Sequence, residues 1–215
     1  AVLMSLVPGL AIVTAIRDII AGDLVAGSAR LMEAFVTAAA LSLGAAFGLM
    51  LFPAETSYVS ALTFLYSPVP AFAFAFLATA AFAYFFHISR YDILWTSLFG
   101  AAGWLVYLII SRDLSSPTMA YMVGALVVGI LSEFFAVAFR KPATVYIVPG
   151  IIPLVPGGGM YETMFLAVLG RADAAAAVAF NTLSAAAAIA VGIALASSCA
   201  RLASRARVSW KARPR

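Results

Sequence analysis

Tyr146-Ile-Val-Pro-Gly-Ile-Ile-Pro-Leu-Val-Pro-Gly-Gly-Gly-Met160 places three prolines and three consecutive glycines inside an otherwise apolar run. Pro149, Pro153 and Pro156 each remove a backbone donor and clash with the preceding turn, at about 3 kcal/mol apiece in a helix interior. Gly157, Gly158 and Gly159 then open conformations closed to other residues. Apolar sequence flanks the run on both sides, so it reads as a span over about 142–170 that breaks midway and restarts near Gly158. Unwound backbone at that depth is tolerated only where it is buried in protein or lines a cavity. The restarted helix offers free N–H groups and a positive dipole end, which suit a carboxylate. A simple packing kink is the plainer alternative.

Working outward, the rest of the chain has the same character. It holds 215 residues, 65% hydrophobic and 10% charged, with a mean hydropathy of +1.07. Soluble domains carry about 25% charged residues, so this chain lacks the polar surface to cover a water-facing globule. Its apolar blocks run to roughly 20 residues, enough to cross about 30 Å of hydrocarbon as a helix. Lipid-spanning segments must be helices or closed barrels. A barrel demands apolar–polar alternation, and Ala71 to Phe86 or Ala174 to Ala196 show none. The expected fold is an all-α, polytopic helical membrane protein.

Seven spans are expected, near residues 1–21, 28–52, 58–86, 92–111, 116–139, 142–170 and 174–200. The breaks RDIIAGDLVAGSAR, FPAETS, HISRYD, SRDLSSP, RKP and GRAD carry the charges and turn formers that end a helix. Orientation follows from positive charge. With the C-terminus inside, the cytoplasmic face collects eleven Lys and Arg residues: Arg17, Arg30, Arg90, Arg140, Lys141 and six from Arg201 onward. Only Arg112 and Arg171 fall outside. The basic tail beyond a hydrophobic segment reads as an anchor at anionic headgroups rather than a nucleic-acid arm. The expected setting is the bacterial cytoplasmic membrane.

An internal repeat emerges at an offset of 148 residues. Leu6-Val7-Pro8-Gly9 recurs as Leu154-Val155-Pro156-Gly157, Gly22 as Gly170, and Gly44 as Gly192, while Glu33 falls opposite Asn181. Five spans separate the two copies, and an odd number reverses direction across the bilayer. The expectation is an inverted repeat with two helices broken at Pro-Gly, an arrangement found in many secondary transporters.

Among polar residues, Glu162 sits one turn into the restarted helix. Two readings stand: it favours the helix N-terminus as a carboxylate, or it binds a substrate ammonium or a proton, as intramembrane carboxylates cost about 2.5–3.5 kcal/mol to insert. Tyr161 and Thr163 beside it are hydrogen-bond donors or ordinary packing. Glu33 and Glu133 lie near helix ends, where snorkelling explains them; Glu33 gains interest from Asn181, which needs a partner in an apolar helix. Arg17 with Asp18 is either a gate pair or two interface charges. His87 heads a loop. A single cysteine, Cys199, rules out an internal disulfide, and one His with one Cys makes no metal cluster. No Walker loop, H-E-x-x-H or G-x-S-x-G occurs, so neither enzyme chemistry, a cofactor nor ATP-driven transport is expected. The chain opens on Ala1 without a basic n-region, which reads as a piece of something longer rather than a signal peptide.

The run from Arg140-Lys-Pro-Ala-Thr-Val-Tyr146 through Pro149-Gly, Pro153 and Pro156-Gly-Gly-Gly-Met-Tyr161 resembles the hallmark of the threonine/serine exporter family. So do His87-Ile-Ser-Arg-Tyr-Asp-Ile-Leu-Trp95 and Gly100-Ala-Ala-Gly-Trp104. On that resemblance, residues 1–52 correspond to the last two helices of a first membrane domain, 53–200 to a second five-helix domain, and 201–215 to a basic cytoplasmic tail. The resemblance implies a ten-helix exporter that uses the proton motive force to expel threonine and serine. It assigns the substrate site to Pro156, Gly157, Gly158, Gly159 and Tyr161. The repeat adds Pro8 and Gly9, and the bottom-up reading adds Glu162 and Asn181, with Glu162 and Glu33 for ion coupling. Expected partners are the small-molecule substrate, membrane lipid, the absent first-domain helices in the same or another chain, and a second copy in a homo-oligomer. Two alternatives remain open: export of a C4-dicarboxylate such as succinate, and a non-transporting scaffold subunit.

Overall fold

The computed structural model describes residues 8–51, 67–113 and 116–211. In chain order the helices are α1 (Gly9–Ile20), α2 (Leu24–Leu51), α3 (Pro68–Phe85), α4 (Arg90–Asp113), α5 (Pro117–Phe139), α6 (Thr144–Gly150), a 3-10 turn (Ile152–Leu154), α7 (Gly157–Val168) and α8 (Ala172–Lys211). The protein is therefore an all-α polytopic membrane protein. Among the described residues, five helices are long and apolar enough to cross a membrane alone, and a sixth span arises if the pair Thr144–Leu154 and Gly157–Val168 counts as one. Of the expected first span, only α1 is described, at 12 residues. The part of the expected third span before residue 67 also lies outside the described residues.

Helix ends follow local chemistry. Pro68 and Pro117 occupy first-turn positions after Ser67 and Ser116, where a missing N–H costs nothing. Asp23 accepts the Ala26 N–H at 3.1 Å and so caps α2. Four helices, α1, α3, α5 and α7, end on a left-handed residue: Gly22, His87, Arg140 and Gly170. After each, the next amide returns five residues, as in Asp23 N–H to the Asp18 carbonyl at 2.9 Å and Lys141 N–H to the Ala136 carbonyl at 3.0 Å. That closure satisfies carbonyls the helix leaves open.

The chain forms two compact units. The first comprises Ala1–Thr63 and Val155–Ala190, and the second Phe64–Leu154 and Val191–Arg215. In the first, α2 turns back along α1: a Cβ on Gly27 would meet Ile19 Cγ1 at 2.5 Å and the Ala15 carbonyl at 2.8 Å. Ala34, Ala38 and Ser42 make the buried stripe of α2, spaced four apart as one helix face requires. In the second unit, α4 and α5 cross at Gly103 and Gly124, where a Cβ on either would lie about 3 Å from the other's carbonyl oxygen. Small residues permit this backbone approach, which is how helices associate in lipid without a hydrophobic drive. Phe99, Ala136 and Tyr146 form a buried cluster beside Trp95 and Phe135. Outward faces carry bulky apolar groups, such as Val25, Val69 and Phe134, as a lipid solvent permits.

One expectation is corrected in detail, and the broken span is resolved more finely. Pro149 lies inside its helix: α6 runs through it and ends one residue later at Gly150, because the turn before it is the helix's first and has few bonds to lose. The helix restarts at Gly157, in keeping with the restart expected near Gly158. Asp18 does not pair with Arg17; its carboxylate is bonded to Arg30 on α2, which is what ties the α1–α2 corner.

Local backbone geometry recurs 148 residues apart. Helices α1 and α7 each have 12 residues. The bonds Ala21→Arg17, Gly22→Ile19, Asp23→Asp18 and Gly27→Asp23 (N–H to carbonyl) recur as Leu169→Phe165, Gly170→Ala167, Arg171→Leu166 and Ala175→Arg171. The left-handed glycines Gly22 (φ +94°) and Gly170 (φ +74°) match as well, and α2 and α8 start at Leu24 and Ala172.

Candidate functional site

Both Pro-Gly motifs become helix starts. Pro8 precedes α1 with φ −77° and ψ 36°, and Pro156 precedes α7 with φ −79° and ψ 51°. Neither helix has a side-chain cap. Their first-turn amides therefore have no partner from a capping residue, and each helix presents the positive end of its dipole there.

The first unit brings these two starts together. A Cβ on Gly9 would lie 2.5 Å from Val155 Cγ1, 2.8 Å from Gly157 Cα and 3.0 Å from Gly157 N. Glycine at position 9 is thus what allows one helix start to touch the other. Gly9 is buried, while Gly157, Gly158 and Gly159 are half-buried. Beside them, the Thr182 side chain of α8 packs directly against Gly159, its hydroxyl held by the Val178 carbonyl at 2.7 Å. Ser42 of α2 donates to the Ala38 carbonyl at 2.8 Å and reaches the Tyr161 carbonyl at 3.3 Å. The Tyr161 ring stacks on Phe165 at 5.7 Å between centroids.

Of the residues singled out from sequence, Gly9 and Gly157 therefore meet, each directly after its proline, Pro8 or Pro156. Gly158 and Gly159 follow in the first turn of α7, with Tyr161 just beyond. Glu162 lies on α7 with its side chain exposed; Glu33 on α2 and Asn181 on α8 are exposed too. Thr163, by contrast, is buried and donates back to the Gly159 carbonyl at 2.7 Å. An exposed carboxylate on an apolar helix is poorly suited to lipid and marks a face for protein or water.

A second polar centre, in the second unit, was not singled out from sequence. Asp92, in the first turn of α4, is 4% exposed. Its Oδ1 accepts the Tyr146 hydroxyl at 2.8 Å, and its Oδ2 is bonded to the Lys141 ammonium. The carboxylate thus ties α4 to both the loop before α6 and α6 itself. Asp92 passed in the sequence for one more charge in the break HISRYD. Its signal was position: a carboxylate inside a helix's first turn rather than in the loop before it. Among the described residues, no group of three His, Cys, Asp or Glu gathers to hold a metal.

Comparison with known proteins agrees with this architecture. A family model described as "Threonine/Serine exporter, ThrE" matches residues 71–199, and a further threonine/serine exporter model matches residues 1–52. No curated protein and no solved structure matches the chain. The first match alone covers more than half of the sequence and includes the broken α6–α7 segment, so this membrane protein belongs to the threonine/serine exporter family of transporters.

Proposed function

We propose that the chain forms part of a secondary exporter of small amino acids, threonine and serine, driven by the proton motive force across the bacterial cytoplasmic membrane. The observation that carries this reading is the meeting of two uncapped helix starts at Gly9 and Gly157. Two positive dipole ends suit the carboxylate of an amino acid. The first-turn amides beyond Gly157 receive it, since the Gly157 N–H itself donates to the Val155 carbonyl at 2.8 Å. Glu162 or Asn181 meets its ammonium, and Glu162 with Glu33 takes the coupling proton.

The proposal includes an inverted repeat, for which the helix directions speak. Since Gly27 lies beside Ala15 and Ile19, α2 passes the level of Gly9 near residue 35. Ser42 then lies about 10 Å beyond that level at 1.5 Å per residue. It contacts Tyr161, four residues into α7. Helix α7 therefore leads away from the contact in the direction opposite to α1, as two copies related by an in-plane two-fold would. Span parity agrees. Gly192 of α8 lies against Met122 and Leu126 of α5, while Gly129 lies against Ile193 and Ala196. The two helices run the same way, as spans separated by one crossing must. On this proposal the broken segment 142–170 is one span of seven, and the excess of Lys and Arg puts the C-terminus at the cytoplasm.

The test is efflux of labelled threonine and labelled succinate from cells or vesicles carrying the complete exporter. Threonine efflux that collapses with the proton gradient supports the proposal. Succinate efflux without threonine efflux reassigns the substrate to a C4-dicarboxylate. Neither activity, together with a cysteine at Gly158 that aqueous thiol reagents reach from neither side, makes the chain a scaffold.

A further inference from the structure

The second unit carries a concavity of about 520 Å³ lined by Arg90, Tyr91, Asp92, Leu94, Trp95, Phe139 and Lys141. Arg90 opens α4 and Phe139 closes α5. Both helices are long and apolar enough to cross a membrane, so the concavity sits where two spans leave the hydrocarbon.

Its charges do not cancel. Asp92 is fully engaged, one oxygen by Tyr146 and the other by Lys141. That pairing neutralises one lysine charge and fixes the ammonium in place, yet an ammonium has three donors, and the Lys141 side chain remains 38% exposed. Among the described residues, Arg90 is in no ion pair. The mouth therefore holds one uncompensated guanidinium beside an oriented ammonium with donors to spare. The walls are different: Leu94, Trp95 and Phe139 are apolar, and Tyr91 is 87% exposed. Indole and phenol rings at a span's end match the headgroup level of a bilayer.

A ligand with an anionic head and an apolar body satisfies both halves of this lining, whereas a small free anion leaves the aromatic walls unused. We propose that this concavity is a binding site for an anionic phospholipid of the surrounding leaflet. Its phosphate is held by Arg90 and Lys141, and the start of its acyl chains lies along Leu94, Trp95 and Phe139. Basic pockets between membrane helices recognise headgroups in this way.

The test uses the full chain in nanodiscs of phosphatidylcholine with a minor share of phosphatidylglycerol. Trp104 and Trp210 are replaced by Phe, so that Trp95 alone reports. Brominated phosphatidylglycerol quenches Trp95 at an apparent affinity about fivefold above that of brominated phosphatidylcholine, the worth of one basic residue near the surface. Arg90→Gln removes that preference and leaves the melting temperature unchanged. Native mass spectrometry of the unsubstituted protein gives the same ranking of retained lipids, which guards against a folding effect of the tryptophan replacements. Equal quenching by the two lipids overturns the proposal, as does a preference that survives Arg90→Gln. Inorganic phosphate at millimolar concentration that displaces the preference entirely reassigns the site to a free anion.

Discussion

Gly9 and Gly157 touch so closely that a Cβ on the first would stand 2.8 Å from the Cα of the second. The obstacle is backbone rather than a movable side-chain tip, so Gly9→Ala forces the two helix starts apart. Overpacking of this kind costs about 1–3 kcal/mol. Gly44→Ala provides the contrast, since nothing lies within 4 Å of its Cβ and alanine is about 1 kcal/mol the better helix former. Thermal melts in detergent should show Gly9→Ala lowered and Gly44→Ala unchanged or raised. Efflux should fall only for the first.

Gly159 and Thr182 form a similar lock with a different remedy. A Cβ on Gly159 runs into the Thr182 hydroxyl and lies 3.2 Å from its Cβ and Cγ2. Threonine is stiff at χ1, and this hydroxyl is anchored to Val178. Gly159→Ala should destabilise by about 1–3 kcal/mol, and adding Thr182→Ala should recover much of that loss. A double-mutant cycle measures the coupling; strictly additive effects would refute direct contact.

Gly22 and Gly170 are required for a different reason. Neither has any atom near its missing Cβ, but both have positive φ. Alanine at either should cost about 1–2 kcal/mol through left-handed strain alone, and asparagine less. Because their surroundings are open and their hydrogen bonds match, the two losses should be alike. Unequal melts for Gly22→Ala and Gly170→Ala would count against equivalent corners in the two copies.

These glycines also show what the sequence could and could not convey. Span positions were legible because lipid imposes a single rule on every residue, and α4 and α5 matched their expected bounds within about two residues. The break was legible because Pro156 and Gly157 act locally. That α6 would run through Pro149 was not legible, because the proline's cost depends on how many helical bonds precede it, a fact about Thr144 that no local motif reveals. The partner of Asp18 was missed for the same kind of reason: Arg30 reaches it only after Gly22 turns the chain. Asp92 escaped notice because its partners lie 49 and 54 residues away, and burial of a charge is a property of packing.

The Asp92 centre predicts an ordering of variants. Tyr146→Phe removes one buried hydrogen bond and should cost about 1 kcal/mol. Lys141→Met leaves a buried carboxylate without its cation and should cost more, about 3 kcal/mol. The lysine is partly exposed, so solvent screening keeps the figure at the lower end of that range. Asp92→Asn retains an acceptor for the tyrosine and should fall between the two. Urea or thermal unfolding of the purified variants gives the ranking; a Lys141→Met melt equal to that of the parent would show the pair to be solvated.

Glu162 separates a structural from a functional role most cleanly. If the carboxylate only favours the start of α7, Glu162→Gln loses a dipole interaction of about 0.3–1 kcal/mol, lowers the melting temperature slightly and leaves efflux intact. If it carries the coupling proton or the substrate ammonium, the outcome is reversed. Glutamine keeps the size and an acceptor oxygen but cannot ionise, so coupled efflux should fall to background. Stability should hold or rise, because an intramembrane charge of about 2.5–3.5 kcal/mol insertion cost is gone. The side chain is exposed and makes no bond that the substitution would strand, so loss of function cannot be blamed on unfolding. The expected result is abolished proton-driven efflux with an unchanged or raised melt; full efflux by Glu162→Gln would take this residue out of the mechanism and leave Glu33 as the remaining carboxylate for the proton.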